Sequence, residues 1–289
     1  MTQVLVNGFV VGTTYALVAL GLTIAFSILR FVNFAHGQLY VMGGFVVYYL
    51  YGVADLPFIL AIVTAALVVG ALGWIIERFL FGPAMLRLQR EEASMLLAMG
   101  LALFLEELAY LLFGEKQRGA PALASGIYRI GEAYLPAGRA AVVVISLVLI
   151  ATVVLFIRFT RQGRALQAIA QDREAAALQG IDLKAHAALG FALGAALAAI
   201  AGGLLITIFG MHAGGGTAIS IKAFLMIMLG GEGRRIRGNT GRFPYRLCRI
   251  HRLHAFARDR HLLGYFCRDD RISDHPAAGP HRSSLGLMK

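Results

Sequence analysis

Five stretches of this chain contain no Asp, Glu, Lys or Arg: Val4–Leu29, Phe31–Ala54, Leu56–Ile76, Ala140–Ile157 and Ala185–Ile221. A helix of about 20 apolar residues crosses the ~30 Å hydrocarbon core of a bilayer, so most of these runs can span one. Lipid offers the backbone no hydrogen-bond partners, which leaves helices and closed barrels as spanning structures. Barrel strands alternate apolar and polar residues, whereas these runs are continuous, so they read as helices. Composition agrees: 58% of residues are hydrophobic and 15% charged, against roughly 25% charge in a soluble domain. The expected fold is all-α, a polytopic transmembrane helical bundle with about six full spans and a truncated seventh. Met1–Asn7 has no Lys or Arg, and the first run is far longer than a signal core, so it reads as a span rather than a cleaved leader.

Placing spans at Val4–Leu29, Gln38–Tyr51, Leu56–Ile76, Ala93–Phe113, Ala140–Ile157 and His186–Phe209 gives an orientation. One side collects nine basic residues (Arg30, Arg78, Arg87, Arg90, Arg158, Arg161, Arg164, Arg173, Lys184) and the other four (Lys116, Arg118, Arg129, Arg139). The positive-inside rule makes the nine-residue side cytoplasmic and puts the N-terminus outside. The second span is short, which suggests that it is tilted, broken or re-entrant.

Arg158–Lys184 is a polar segment between two apolar runs on that cytoplasmic side. Ala165–Leu178 consists of strong helix formers with Leu166, Ile169 and Ala176 roughly on one side. Gly180 is placed to stop the helix and Asp182 to cap the next one. The pattern predicts a short cytoplasmic helix parked between spans, either a lever on which a motor pushes or an interfacial amphipathic helix without a partner.

Three further patterns stand out. Asn33, His36, Gly37 and Gln38 enter the short second span ahead of Gly43-Gly44. They fit a broken helix whose freed backbone needs polar partners, or a hairpin turn with Asn33 as cap and His36 satisfied locally. Gly190, Gly194, Ala198 and Gly202 recur every fourth position and form a flat stripe for close helix approach; Gly214-Gly215-Gly216 then breaks the run, expected outside the membrane. Glu106 and Glu107 lie well inside Ala93–Phe113, where carboxylates are costly. They face a protein or water interior, or snorkel outward near the end of the span; a proton relay through them would imply a secondary transporter.

At Glu232–Arg234 the sequence changes character. Arg234–Lys289 holds 13 basic residues against four Asp and no Glu, with both cysteines and five of eight histidines. Four explanations compete: a nucleic-acid arm, for which no motif is present; a zinc site from Cys248, His251, His254, His261 and Cys267, whose spacing matches no common pattern; a basic tail on the lipid surface; and a slipped reading frame near Gly233. The last is favoured, giving a domain at 1–231 and an atypical Arg-rich tail at 232–289. No metal, cofactor, catalytic residue or nucleic-acid partner is expected.

Residues Leu29–Phe45 (LRFVNFAHGQLYVMGGF), Gly163–Asp182 (GRALQAIAQDREAAALQGID) and the Ile221–Gly231 region (IKAF…LGG) resemble the LivH-type permease of branched-chain amino acid ABC importers. The resemblance implies a multi-pass subunit of the bacterial inner membrane. Its implied partners are a second permease subunit, cytoplasmic ABC ATPase subunits, a periplasmic substrate-binding protein and membrane lipid. It makes Gly163, Arg164, Asp172, Glu174, Ala175, Ala176 and Gly180 an ATPase-coupling loop, and Asn33, His36, Gly37 and Gln38 part of the translocation region. The sequence departs from the family after Gly231, where members continue with apolar helix; Thr217–Gly231 is a partial seventh span interrupted by Lys222.

Overall fold

The computed structural model describes residues 2–29, 31, 33–87, 91–130 and 133–230; the Arg-rich segment from 232 onward lies outside them. In order, the elements are α1 (Thr2–Leu29), α2 (His36–Val47) continuing into a π-helical stretch (Tyr48–Val53), α3 (Phe58–Ile76) continuing into another (Glu77–Phe81), α4 (Gly82–Arg87) and α5 (Glu91–Phe113). A hairpin of β1 (Ile127–Ile130) and β2 (Ala133–Pro136) follows, then α6 (Ala137–Phe159), α7 (Arg161–Gln171), α8 (Arg173–Leu178), α9 (Leu183–Phe209), a 3₁₀ turn (Ala213–Gly215) and α10 (Gly216–Gly230). The polytopic helical bundle is as the uncharged runs predict.

Among the described residues, five helices are long and apolar enough to cross a membrane: Gln3–Leu29, Phe58–Met85, Ala93–Phe113, Ala137–Phe159 and Leu183–Phe209. Helix α2 differs from the expected second span. It has 12 residues, 11 of them buried, and its first turn begins deep in the bundle. A Cβ on Gly21 of α1 would lie 3.4 Å from the His36 ring, and Gly21 stands about 12 Å up the axis from the end of α1 at Leu29. The chain leaves α1, touches the α7–α8 end through Phe31 against Phe81 (ring centroids 5.2 Å apart), and returns to mid-bundle before coiling again.

Helix α9 is the hub, packing on α1, α2 and α3. Lipid supplies no hydrophobic force between helices, so small residues that admit close backbone approach set the interfaces. A Cβ on Gly194 would meet the Gly21 carbonyl oxygen at 2.8 Å, and one on Gly21 would meet the Gly194 carbonyl at 2.9 Å. A Cβ on Gly202 would run into the Tyr40 carbonyl of α2, and one on Gly43 into Ala199. Gly190 lies against Ile28 and Leu166, and Ala198 is fully buried.

Three local features differ from the sequence expectation. The segment drawn as one helix over Ala165–Leu178 is two, because Asp172 leaves the helical region (φ −151°, ψ 112°) to cap α8. Gly214-Gly215-Gly216 is not outside: it folds back into the bundle, where a Cβ on Gly216 would lie 2.5 Å from the Gln38 side chain. The return is made from Met211, which exchanges backbone hydrogen bonds with Arg118 (2.7 and 2.9 Å) and sets its sulfur against Gly44. The antiparallel pair of β1 and β2, with Ile127 opposite Pro136, is a further addition to the expected all-helical pattern.

Replacing Gly202 with Ala should destabilise the bundle by about 1–3 kcal/mol through overpacking on Tyr40. A Cβ added at Gly100 would have nothing within 4 Å, so Gly100→Ala should be neutral or stabilising by up to about 1 kcal/mol. Thermal unfolding in detergent compares the two; equal midpoints would remove the close-approach argument.

Candidate functional site

Two places combine polar groups with defined geometry, one inside the bundle and one at its α7–α8 end. The interior site is the meeting of two helix starts. The first turn of α2 abuts the first turn of α10, with Gly37 packed so closely on the Gly216 carbonyl that neither position has room for a side chain. The Gly37 amide donates to the Ser220 hydroxyl at 2.9 Å, and that hydroxyl donates to the Phe34 carbonyl at 2.8 Å. One α10 side chain thus pairs with both an amide and a carbonyl at the start of α2.

Glu106 of α5 closes this junction. Its Oε2 accepts a hydrogen bond from Gln38 Nε2 at 2.9 Å and another from Thr217 Oγ1 at 3.0 Å, joining α2, α5 and α10 through one carboxylate oxygen. Glu106 is half-buried and Thr217 exposed, whereas Gln38 is buried; the junction is open on the flank between α5 and α10. Glu107, by contrast, is exposed. Buried around the α2 start, Gln38 Oε1, His36 Nε2 and Asn33 Nδ2 have no hydrogen-bond partner among the described residues.

Each residue of the predicted cluster has a distinct place. Asn33 Oδ1 accepts from the Ala35 amide at 3.1 Å, so it shapes the turn ahead of α2, whose own N-cap is Ala35. His36 is bonded to the Val18 backbone of α1 rather than locally. Gly37 and Gln38 make the contacts with α10 and α5. Lys222, which interrupts the last apolar run, reaches the Tyr15 hydroxyl at 3.4 Å and lies 5.5 Å from the centroid of the same ring, a cation–π contact.

The second site is the α7–α8 loop. Thr160 caps α7 by accepting from the Gly163 amide at 2.9 Å. A Cβ on Gly163 would strike the backbone of Phe156 and Ile157, so this glycine serves to lay α7 on the last turn of α6. Leu166, Ile169 and Ala176 are buried and turn the opposite faces of α7 and α8 outward. Exposed there are Arg164, Asp172, Glu174, Ala175 and Gly180, together with Leu178, which is 88% exposed and which sequence reasoning passed over. Asp172 Oδ1 accepts from the Glu174 and Ala175 amides at 3.0 Å each.

The loop ends in a rigid pair of caps. Gly180 has φ +79°, and the amides of Gly180 and Ile181 bond to the Ala177 and Ala176 carbonyls at 2.9 and 3.2 Å, the Schellman pattern. Asp182 then caps α9 by accepting from the Lys184 and Ala185 amides at 2.9 and 3.1 Å. The Ala185 amide bond, supported by that of Lys184 and by the charges of His186 and Arg78, holds the Asp182 carboxyl below the usual aspartate value of 3.8 despite some desolvation. Beneath the loop, the charges of Arg173 and Arg78 act on the buried Glu77 at the end of α3. Sequence reasoning passed over Glu77 as well; its only signal there is that it is the first charge after an apolar run.

An apolar cleft of about 380 Å³ between α3 and α6, lined by residues such as Phe58, Ile62, Ile145 and Leu149, has no polar group to orient a solute. No group of His, Cys, Asp and Glu suited to a metal occurs among the described residues.

A family model described as "Branched-chain amino acid transport system / permease component" matches residues 4–240. The chain belongs to this permease family. The match runs nine residues past the domain end expected at 231. Among curated proteins, the chain is 32% identical over 245 residues to the high-affinity branched-chain amino acid transport system permease protein LivH of Salmonella typhimurium (strain LT2), covering 80% of this chain and 79% of the relative. LivH of Escherichia coli (strain K12) matches with the same identity and coverage. BraD of Pseudomonas aeruginosa, also a high-affinity branched-chain amino acid transport system permease protein, is 34% identical over the same extent. No solved structure matches.

The Asp182 cap gives this family member a pH signature. A carboxyl whose folded value is depressed favours the fold above its ordinary value and loses that contribution as pH falls through the lowered one. Protection of the Lys184 and Ala185 amides from hydrogen exchange should therefore drop below pH 3.8. Asp182→Asn, which caps without a charge, should flatten that dependence; an unchanged slope in the variant would show that another group sets it.

Proposed function

We propose that this chain is the transmembrane permease subunit of an ATP-binding-cassette importer for branched-chain or related amino acids, seated in the bacterial inner membrane. The observation behind this is the 32–34% identity to LivH and BraD over four-fifths of the chain. It favours an ATP-driven importer over a proton-coupled carrier built on Glu106 and Glu107. The permease domain is assigned to residues 1–231, with the Arg-rich tail separate from it.

In this role the chain performs no chemistry; ATP is hydrolysed in a partner, and the work enters here as motion. The α7–α8 loop suits that entry. It packs on the end of the bundle through Leu166, Ile169 and Ala176, is capped at Thr160, Asp172, Gly180 and Asp182, and presents Glu174, Ala175 and Leu178 outward. Gly163, Leu166 and Ala176 anchor it to α6 and the bundle behind. A docked ATPase that binds this loop differently with and without ATP would shift the equilibrium between permease conformations.

The second permease subunit is assigned to the flank between α5 and α10. Glu106 and Thr217 form a polar pair there that would be costly against lipid, so this flank calls for protein or water. Asn33, His36, Gly37 and Gln38 then line the translocation region from behind. A periplasmic binding protein delivers the amino acid at the hairpin end.

Glu174→Arg and Leu178→Asp should each weaken association with the ATPase partner by about tenfold or more, the loss typical of removing an interface anchor, while leaving membrane insertion intact. Pull-down from membranes with the ATPase as bait measures this; association equal to the native chain's in both variants would end the docking role of the loop.

A further inference from the structure

We propose that Glu106, Gln38 and Thr217 form a recognition point for the charged end of an α-amino acid. Glu106 takes the ammonium group, and the Gln38 amide and Thr217 hydroxyl take the carboxylate. The inference rests on the importer role proposed above and deepens it by naming the residues that meet the solute inside the membrane.

The case begins with what surrounds Glu106. Its carboxylate accepts two neutral donors, Gln38 and Thr217, at 2.9 and 3.0 Å, and no Lys, Arg or His among the described residues pairs with it. The positive charge that balances it comes from helix ends: α2 (12 residues) and α10 (15 residues) both begin here, and each start carries roughly half a positive charge. The arrangement therefore separates a fixed negative group on α5 from a fixed positive field on α2 and α10, with two hydrogen-bond donors on the positive side.

A zwitterion is the small solute whose two charges match both halves. Moving it out of water is prohibitive unless its ammonium and carboxylate find fixed partners. Inserted between Glu106 and the helix starts, its ammonium replaces the two donors on Glu106, and its carboxylate accepts those donors in turn. Half-helix starts that face a substrate carboxylate at mid-membrane are a known solution to this problem. The buried Gln38 Oε1 has no partner among the described residues; as an acceptor it adds a second site for the ammonium beside Glu106, leaving Nε2 as the donor for the carboxylate. The open flank at Thr217 gives the solute a way in. Closed, as here, the clasp joins α5 to the paired starts of α2 and α10; with the amino acid bound, the same groups hold the solute and α5 no longer bonds directly to that pair.

The test uses the full importer, this chain with its partner subunits and binding protein, reconstituted in proteoliposomes, with leucine uptake and ATP hydrolysis followed together. Glu106→Gln keeps the size and an acceptor for Gln38 and Thr217 but removes the charge; uptake should fall about tenfold or more, as for loss of a charged partner. ATP hydrolysis stimulated by the leucine-loaded binding protein should stay within about twofold of native, because the α7–α8 loop is untouched. Glu106→Asp, which retains the charge, should recover a substantial part of the uptake. Native uptake in Glu106→Gln would overturn the proposal, as would equal losses in the Gln and Asp variants, which would mark Glu106 as structural. A native complex that shows no stimulated hydrolysis at all would instead overturn the importer role, and this inference with it.

Discussion

A helix that begins inside a lipid-embedded bundle has no water to satisfy its first turn, and the whole interior of this protein is arranged around that constraint. Helix α2 begins at the level of Gly21 on α1, far from either end of the bundle. Its Gly37 amide and the Phe34 carbonyl ahead of it are joined through the Ser220 hydroxyl of α10. Leaving such groups unpaired in hydrocarbon costs several kcal/mol each, so α2 can begin there only if α10 is in place. The contact requires glycine on both sides, Gly37 against Gly216, because any side chain would hold the helix starts apart.

From that junction a continuous set of contacts leads to the far end of the molecule. Helix α2 lies on α9 through Tyr40 and Gly202, and α9 lies on α1 through Gly194 and Gly21. At Gly190, α9 meets both Ile28 of α1 and Leu166 of α7, and α7 is pressed to α6 at Gly163. Displacement of the α7–α8 loop is therefore displacement of surfaces packed directly on α9. Close-packed small-residue interfaces transmit such motion because they have no compressible side-chain layer between backbones. Asp172 gives the loop a corner, so α8 can present a face to a partner while α7 stays on the bundle.

The helices and their caps were legible because their signals are local. Uncharged runs set α1, α3, α6 and α9; the i, i+3 spacing of Leu166 and Ile169 set the buried face of α7; Gly180 and Asp182 stop one helix and start the next. The depth of α2 was not legible, since Gln38–Tyr51 reads as a short span whether it starts at a surface or in the middle. Nor was the partner of Glu106: Gln38 and Thr217 are 68 and 111 residues away, and nothing in the α5 sequence says which of two adjacent glutamates turns inward. Gly214-Gly215-Gly216 misled for the same reason. A glycine run marks a break in a helix, but whether the break lies in water or against Gln38 depends on the tertiary fold.

The sharp change of composition at Glu232 bears on the junction only through α10. Helix α10 contributes Gly216, Thr217 and Ser220, all in its first two turns, and these suffice to meet Gly37, Gln38 and Glu106. Lys222, one step further on, is already accommodated by Tyr15 at the edge of the bundle. The part of the last apolar run that α2 needs is thus complete well ahead of the Arg-rich segment, and the polar junction depends on Gly214–Ala223 rather than on residues nearer the C-terminus. That economy explains why α10 occupies a central position: its start is what the bundle uses.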